Sequence, residues 1–218
     1  MASLLKNSIG ILGGSFDPVH SGHLRLALES MEAAGLERVI LLPLYTPTHR
    51  ADLVATPEQR YHMLELATDS VPELEVSDIE IRRKQPSYTI DTINELHQQD
   101  PTQPISLIMG MDAFQHLDSW KEWEQLLDMC NIIVAERSGI KSVTLNPRLT
   151  EIIEARKISH PDELHSGITG RIMKIGIPVL DISSTQIRKL LSLKLHIDFL
   201  VPEPVKEYIL KQNIYFNN

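Results

Sequence analysis

Between Gly13 and His23 the chain reads Gly-Gly-Ser-Phe-Asp-Pro-Val-His-Ser-Gly-His. These residue types suit an anion carrying several oxygens. Gly13 and Gly14 let the backbone approach a ligand closely, and a helix starting just beyond turns its first amides toward that ligand. His20 and His23 bracket Gly22 at the same helix entrance and add two imidazoles, a set suited to a polyphosphate. A surface turn would explain one histidine better. Two histidines, three glycines and a proline at a strand end favour phosphate. The segment lacks the G-x-G-x-x-G dinucleotide fingerprint, and no Gly-Lys-Ser/Thr follows as in a Walker loop. A third reading is zinc on His-x-x-His with Asp17 nearby, but no further ligand cluster accompanies it.

Asp181-Ile-Ser-Ser-Thr-Gln-Ile-Arg188 is the second such segment. Ser183 and Thr185 start a helix after a strand, and Arg188 lies one turn in. Hydroxyls, unpaired helix amides and a guanidinium again favour phosphate oxygens. Simple capping of Ser183 by Gln186, with Arg188 solvated, explains the residues equally well.

Alternating hydrophobic periods place these segments. Ile9–Leu12 reads as a buried strand, residues 24–34 as a helix closed by Gly35, and Val39–Leu42 as a second strand ended by Pro43. Strand, helix, strand is the βαβ pattern of a parallel sheet covered on both faces. Thr56, Pro57 and Gln59 open a helix to about Ser70. Val76, Ile79 and Ile81 read as extended, Thr89–His97 as a helix, Ile105–Met109 as a strand, Trp120–Leu127 as a helix and Ile132–Ala135 as a strand. Residues 145–156 are expected to be helical. The Pro- and Gly-rich stretch 160–178 gives no clear period, and Val179–Ile182 reads as a last strand before a helix to Leu191. Pro202 and Pro204 start a terminal helix. The expected architecture is α/β: one doubly wound parallel-sheet domain over residues 1–218, with 183–218 as its helical C-terminal part.

The composition is that of a packed soluble protein. The 218 residues include 21 Lys+Arg and 29 Asp+Glu, a net charge of −8, with 42% hydrophobic residues. An acidic balance disfavours general nucleic-acid or anionic-membrane binding. A single cysteine, Cys130, excludes an intrachain disulfide and argues against a Cys-based zinc site. No apolar run approaches the ~20 residues that span a bilayer, and the N-terminal residues lack the basic-then-apolar order of a signal peptide. A cytoplasmic protein with small-molecule partners is expected. The sequence leaves a homo-oligomer open.

Together the two segments resemble the His-x-Gly-His and Ile-Ser-x-Thr-x-Ile-Arg motifs of the nucleotidyltransferase superfamily. Within it, the chain is similar to bacterial nicotinate-nucleotide adenylyltransferases. Pro47-Thr-His-Arg50 resembles their Pro-Pro-His-Lys/Arg loop, Pro86-Ser-Tyr-Thr89 a helix start, and Gly110-Met-Asp112 with Trp120 a Gly-x-Asp element with a distal tryptophan. The resemblance spans Ile9 to Tyr215. Thr48 replaces the usual second loop proline, and Glu136-Arg-Ser-Gly139 stands where Arg-Pro-Gly is common.

This resemblance implies transfer of AMP from ATP to nicotinate mononucleotide, giving deamido-NAD and pyrophosphate, with Mg²⁺ accompanying ATP. It implies ATP contacts from Gly13, Gly14, Ser15, Phe16, His20, His23, Gly110, Asp112, Ser183, Thr185 and Arg188, with His20, His23 and Arg188 catalytic and no protein metal site. On the acceptor side it implies Ser15, His49, Arg50, Tyr88, Thr89, Asp112, Trp120 and Lys121, with Trp120 on the pyridine ring and amides near Thr89 and Lys121 on its carboxylate. Three rivals remain. Another transferase of the superfamily would lack the middle motifs, a non-catalytic nucleotide sensor would not need both histidines and Arg188, and a synthetase-like RNA partner would carry a lysine-rich loop that is absent here.

Overall fold

The computed structural model describes residues 8–47, 53–137, 145–166, 169–178 and 180–216. Strands and helices alternate along the first half: β1 (Ile9–Gly14), α1 (Ser21–Ala34), β2 (Arg38–Pro43), α2 (Pro57–Thr68), β3 (Leu74–Val76), α3 (Ile79–Arg83), α4 (Thr89–Gln99) and β4 (Ile105–Gly110). Then come α5 (Met111–Phe114), α6 (Trp123–Met129), β5 (Asn131–Arg137), α7 (Pro147–Arg156), β6 (Lys157–Ile158), β7 (Ile172–Ile177), α8 (Ser184–Ser192) and α9 (Glu203–Gln212).

The sheet has the strand order β3-β2-β1-β4-β5-β7-β6. The β1–β4, β4–β5, β5–β7 and β6–β7 pairs are all parallel. The chain winds outward through β2 and β3, returns to β4 beside β1, and winds outward again. This is the doubly wound pattern, with its reversal between β1 and β4. Ile9 to Leu12, Val39 to Pro43 and Ile105 to Met109 are buried throughout, as strands covered on both faces must be. No helix among the described residues is long and apolar enough to cross a membrane.

By packing, the chain divides into two compact units, Met1–Leu12 with Ala27–Ile40 and Tyr88–Val179, and Gly13–Leu26 with Leu41–Ser87 and Leu180–Asn218. In the first, the buried Asn131 side chain ties the start of β5 to its neighbours. Its Nδ2 donates to the Leu164 carbonyl at 3.0 Å and its Oδ1 accepts from the Arg171 amide at 3.0 Å. In the second, the Thr56–Gln59 capping box opens α2 as its sequence predicts.

The structure corrects three local expectations. Residues 79–83 form α3 instead of continuing an extended stretch; Ile79, Glu80 and Ile81 are all buried, so their burial carries no period of two. Trp120 does not begin a helix. It follows a 3-10 turn at Leu117–Ser119, and α6 starts only at Trp123, after Glu122 in a left-handed conformation. The last sheet strand is β7, not residues 179–182. Met173 and Ile175 are buried, while Lys174 between them is exposed and donates to the Glu136 carboxylate of the adjacent β5 at 2.9 Å. The surrounding prolines and glycines hide that alternation. Leu180 to Ile182 form no strand, and Val179 lies outside the described residues.

Candidate active site

The loop leaving β1 is held by a buried cation. Arg60 lies on α2 with Met63, Leu64 and Ala67, on the face that packs inward, and is 0% exposed. Its Nη1 donates to the Ser15 carbonyl at 2.9 Å, its Nη2 to the carbonyls of Leu44 and Tyr45, and its Nε to that of Ala55 at 3.3 Å. Burial lowers its pKa from the usual arginine value, and the nearby Asp17 carboxylate opposes that shift. One guanidinium thus fixes the chain where it leaves β1 and β2. Replacing it with methionine, of similar length but without donors, leaves four carbonyls to find new partners. We expect Arg60→Met to lose about 2–4 kcal/mol of unfolding free energy. Urea denaturation checks this, and a loss within about 0.5 kcal/mol, the surface-substitution range, would contradict it.

Asp17 is the second brace. Its carboxylate is 1% exposed and accepts from the amides of Val54 at 2.9 Å and Ala55 at 3.0 Å and from the Tyr215 hydroxyl at 2.7 Å. Three protein donors on one buried carboxylate give Asp17 a bracing role in this loop. Among the described residues no group of three or more His, Cys, Asp or Glu could hold a metal ion.

At the entrance to α1 the two histidine rings stack, with centroids 3.7 Å apart and planes at 23°. The buried Phe16 ring meets His23 edge-on at 5.0 Å. Gly22 fits this arrangement closely: a Cβ there would sit 3.0 Å from His20 Nδ1 and 3.1 Å from its Cε1, so the His20 ring would have to shift to admit one. The glycine of His-x-Gly-His thus leaves room for the stacked pair. The backbone amide of His20 donates to His23 Nδ1 at 3.3 Å. A ring nitrogen that accepts carries no proton, so in the neutral ring the proton sits on Nε2.

The start of α8 packs on the same loop. Ser183 caps the helix by accepting from the Gln186 amide at 3.2 Å. Ser184 Oγ donates to the Pro18 carbonyl at 2.8 Å. Arg188 Nη1 donates to the Asp17 carbonyl at 2.7 Å and lies 3.8 Å from the Asp17 carboxylate, while Nη2 donates to Thr185 Oγ1 at 3.3 Å. Capping of Ser183 is thus real, but Arg188 is not simply solvated. Loop 13–20 and the N-termini of α1 and α8 form one group, in which two helix ends contribute partial positive charge beside a guanidinium and two imidazoles. Such a group can bind a polyphosphate and stabilise charge developing on it. Gly13, Gly14, Ser15, Phe16, His20, His23, Ser183, Thr185 and Arg188 all belong to the same compact unit.

The motif Pro86-Ser-Tyr-Thr89 does two local jobs. Ser87 Oγ accepts from the Tyr45 amide at 2.9 Å and the Ser87 amide donates to the Thr46 carbonyl at 3.0 Å, which pins this turn to the end of β2. Tyr88 then provides the N-cap of α4 without a side-chain cap bond, while its carbonyl accepts from the Asp91 amide at 3.1 Å, so the anion-facing amides are the first two, at Thr89 and Ile90.

The other unit gathers further candidates. Lys121 Nζ lies 4.8 Å over the Tyr88 ring and 3.1 Å from an Asp91 oxygen, whose hydrogen bond raises the lysine pKa. Trp120 is half-buried in the loop before α6, whereas Trp123 takes the core position. Asp112 is exposed in α5 directly after Gly110, at the carboxyl end of β4. Tyr88, Thr89, Gly110, Asp112, Trp120 and Lys121 therefore all lie in this unit. His49 and Arg50, with Thr48, lie outside the described residues, as do Ser138 and Gly139.

Other residues fall to structure. Cys130 is fully buried, its thiol donates to the Leu126 carbonyl at 3.3 Å, and burial pushes its pKa up to about 12, which leaves it inert. Arg82 pairs with Asp78 on an exposed face, and Arg83 lies 4.0 Å from Glu80. Arg60 and Tyr215 brace the candidate site, and neither is among the residues expected from the sequence. Arg60 had a signal, a charged residue three and four places before buried Met63 and Leu64. Tyr215 had none.

Comparison with known proteins agrees with this arrangement. Residues 11–190 match the family model described as cytidylyltransferase-like. A Psychromonas ingrahamii protein named probable nicotinate-nucleotide adenylyltransferase is 38% identical over 96% of this chain and 98% of its own length. A Shewanella putrefaciens protein of the same name is 39% identical over 96% of this chain and 99% of its own. Among solved structures, Plasmodium falciparum nicotinic acid mononucleotide adenylyltransferase complexed with NaAD shares the fold with a TM-score of 0.73 at 20% identity, covering 97% of this chain and 98% of that one. Fold, motif placement and near-full-length similarity converge: this chain belongs to the nicotinate-nucleotide adenylyltransferase family of cytidylyltransferase-like proteins.

Proposed function

We propose that the protein transfers the adenylyl group of ATP to the phosphate of nicotinate mononucleotide, giving deamido-NAD and pyrophosphate, a step of NAD biosynthesis. The observation that carries this reading is the convergence of two helix N-termini, His20, His23 and Arg188 on loop 13–20. An acceptor phosphate oxygen attacks the α-phosphorus of ATP, a P–O bond forms, and the bond to the β-phosphate bridging oxygen breaks. Pyrophosphate leaves with the electron pair. The acceptor monoester has a second pKa near ~6 and is largely a dianion at neutral pH, so no general base is required. What the residues must do is orient the triphosphate and stabilise charge on the leaving group.

In this reading His23 Nε2–H and the His20 imidazole meet the phosphates, together with the amides after Gly13 and Gly14 and at the start of α1. Ser183, Thr185 and the remaining donors of Arg188 hold the β- and γ-phosphates. ATP enters as its Mg²⁺ complex, with the ion held by phosphate oxygens and water, as is usual for this cation. Asp112 accepts from a ribose hydroxyl. His49 and Arg50 approach the acceptor phosphate, as the family motif implies. The net charge of −8 does not oppose this, because cations gathered on one loop govern the local potential.

Recognition of the base falls to Trp120, Tyr88 and the first amides of α4. Trp120 stacks on the pyridine ring, and the amides near Thr89 and Lys121 receive its carboxylate. A carboxamide carries no negative charge and would set its own N–H donors against those amides, so nicotinamide mononucleotide binds worse. The position of Trp120 outside the core, with Trp123 inside, supports this division. Trp120→Ala is expected to raise KM for nicotinate mononucleotide by a stacking-sized ~1–3 kcal/mol, with little change in KM for ATP. Steady-state kinetics with each substrate varied tests this, and equal weakening of both substrates would place Trp120 in the scaffold instead.

The proposal as a whole is tested by pyrophosphate release from ATP with different acceptors: nicotinate mononucleotide, nicotinamide mononucleotide, phosphopantetheine and an alkyl phosphate. The expected order of kcat/KM places nicotinate mononucleotide first. Preference for phosphopantetheine would move the protein to another branch of the superfamily, and no release with any acceptor would favour a nucleotide sensor.

A further inference from the structure

We propose that Tyr215, acting through Asp17, is a positioning residue for Arg188, so that the C-terminal tail sets the affinity of the site for the triphosphate of ATP. The proposal rests on the phosphate-binding role given to Arg188 above. Tyr215 is 3% exposed and its hydroxyl donates to Asp17 Oδ1 at 2.7 Å, across 198 positions of sequence. The other carboxylate oxygen of Asp17 faces Arg188 Nη1 at 3.8 Å, and the Asp17 carbonyl accepts from that same nitrogen at 2.7 Å. Arg188 is thus held from the Asp17 side by both a carboxylate and a carbonyl.

The tail is built to deliver this hydroxyl. α9 ends at Asn213 in a left-handed cap, and the buried Ile214 turns back with its amide donating to the Ile209 carbonyl at 3.1 Å. Tyr215 itself has φ 71°, a left-handed conformation uncommon for a bulky residue. A packed ring and one short hydrogen bond hold it there. A phenol needed only for packing would require neither the buried acceptor nor the unusual backbone. Arginine has five donors, and two directions are already taken by Asp17 and Thr185. Which donors remain for phosphate depends on how the guanidinium is turned. A flexible side chain held in its binding orientation gives up less freedom when the ligand arrives.

Tyr215→Phe removes only the hydroxyl. Affinity for Mg²⁺–ATP, measured by calorimetry without acceptor, is expected to fall about five- to tenfold, the size of one ordinary hydrogen bond. KM for nicotinate mononucleotide should stay within about twofold, and thermal melting of the same samples confirms that the fold is retained. In an Arg188→Ala background, Tyr215→Phe should weaken ATP no further, because its effect travels through Arg188. Asp17→Asn, which keeps the side-chain volume and removes the charge facing Arg188, should also weaken ATP. ATP affinity unchanged in a folded Tyr215→Phe or Asp17→Asn, beside weakened binding in Arg188→Ala, overturns the positioning role alone. So does an equal loss from Tyr215→Phe with and without Arg188. Unchanged affinity in Arg188→Ala overturns the phosphate role of Arg188 and this proposal together.

Discussion

His23→Ala lowers kcat about 10²–10³-fold while the protein stays folded. His23 sits in the first turn of α1, and its Nδ1 is committed to the His20 amide. The ring is oriented on three sides by Phe16, the His20 ring and that backbone bond, with Nε2 as the nitrogen that would donate to a phosphate. A donor fixed in advance stabilises charge on the departing pyrophosphate more than charge on bound ATP. Its loss should therefore appear in kcat more than in KM. The half-buried position of the ring makes a large loss of stability unnecessary. Steady-state turnover measured beside circular dichroism tests this. A folded His23→Ala variant with near-normal kcat would contradict the phosphate role.

Arg188→Ala should behave differently. Its guanidinium is 28% exposed and is held by Asp17 and Thr185, so on the proposed reading it would grip ground state and transition state alike. A charge-assisted contact of about 1.5–3 kcal/mol corresponds to roughly 10–100-fold in KM for ATP. The rise in KM should be at least as visible as the fall in kcat. Arg188→Lys should recover only part of the loss, because an ammonium cannot contact Asp17, Thr185 and a phosphate together in the planar geometry of a guanidinium. Full rescue by lysine would show that charge alone is needed at this position.

The elements that carry loop 13–20 are readable from the chain because local and global preferences agree there. Ile9–Leu12 and Val39–Leu42 are continuous apolar runs, and both are buried strands. The His-x-Gly-His spacing and the Ser-Ser-Thr helix start fall at two helix entrances, and the structure brings both to one loop. Where a period could not be counted, the reading failed. Three apolar residues over 76–81 could not distinguish a strand from the short helix α3. β7 was hidden because Lys174 and Gly176 break its apolar run, although they occupy its outward face. Trp120 and Trp123 share a helical spacing, and only packing shows that the second alone is core. The braces Arg60 and Tyr215 were the hardest to see. Their partners are backbone carbonyls and a carboxylate brought close by tertiary structure, and no local pattern announces such contacts.

On the proposed reaction AMP, not phosphate or pyrophosphate, moves from ATP to the acceptor. Incubating the protein with α-³²P-labelled ATP and nicotinate mononucleotide and separating the products tests this. The expected result is label in a dinucleotide that co-migrates with deamido-NAD, one unlabelled pyrophosphate for each dinucleotide formed, and loss of most of this product with His23→Ala. Label retained in ADP or free AMP, with no labelled dinucleotide, would contradict it.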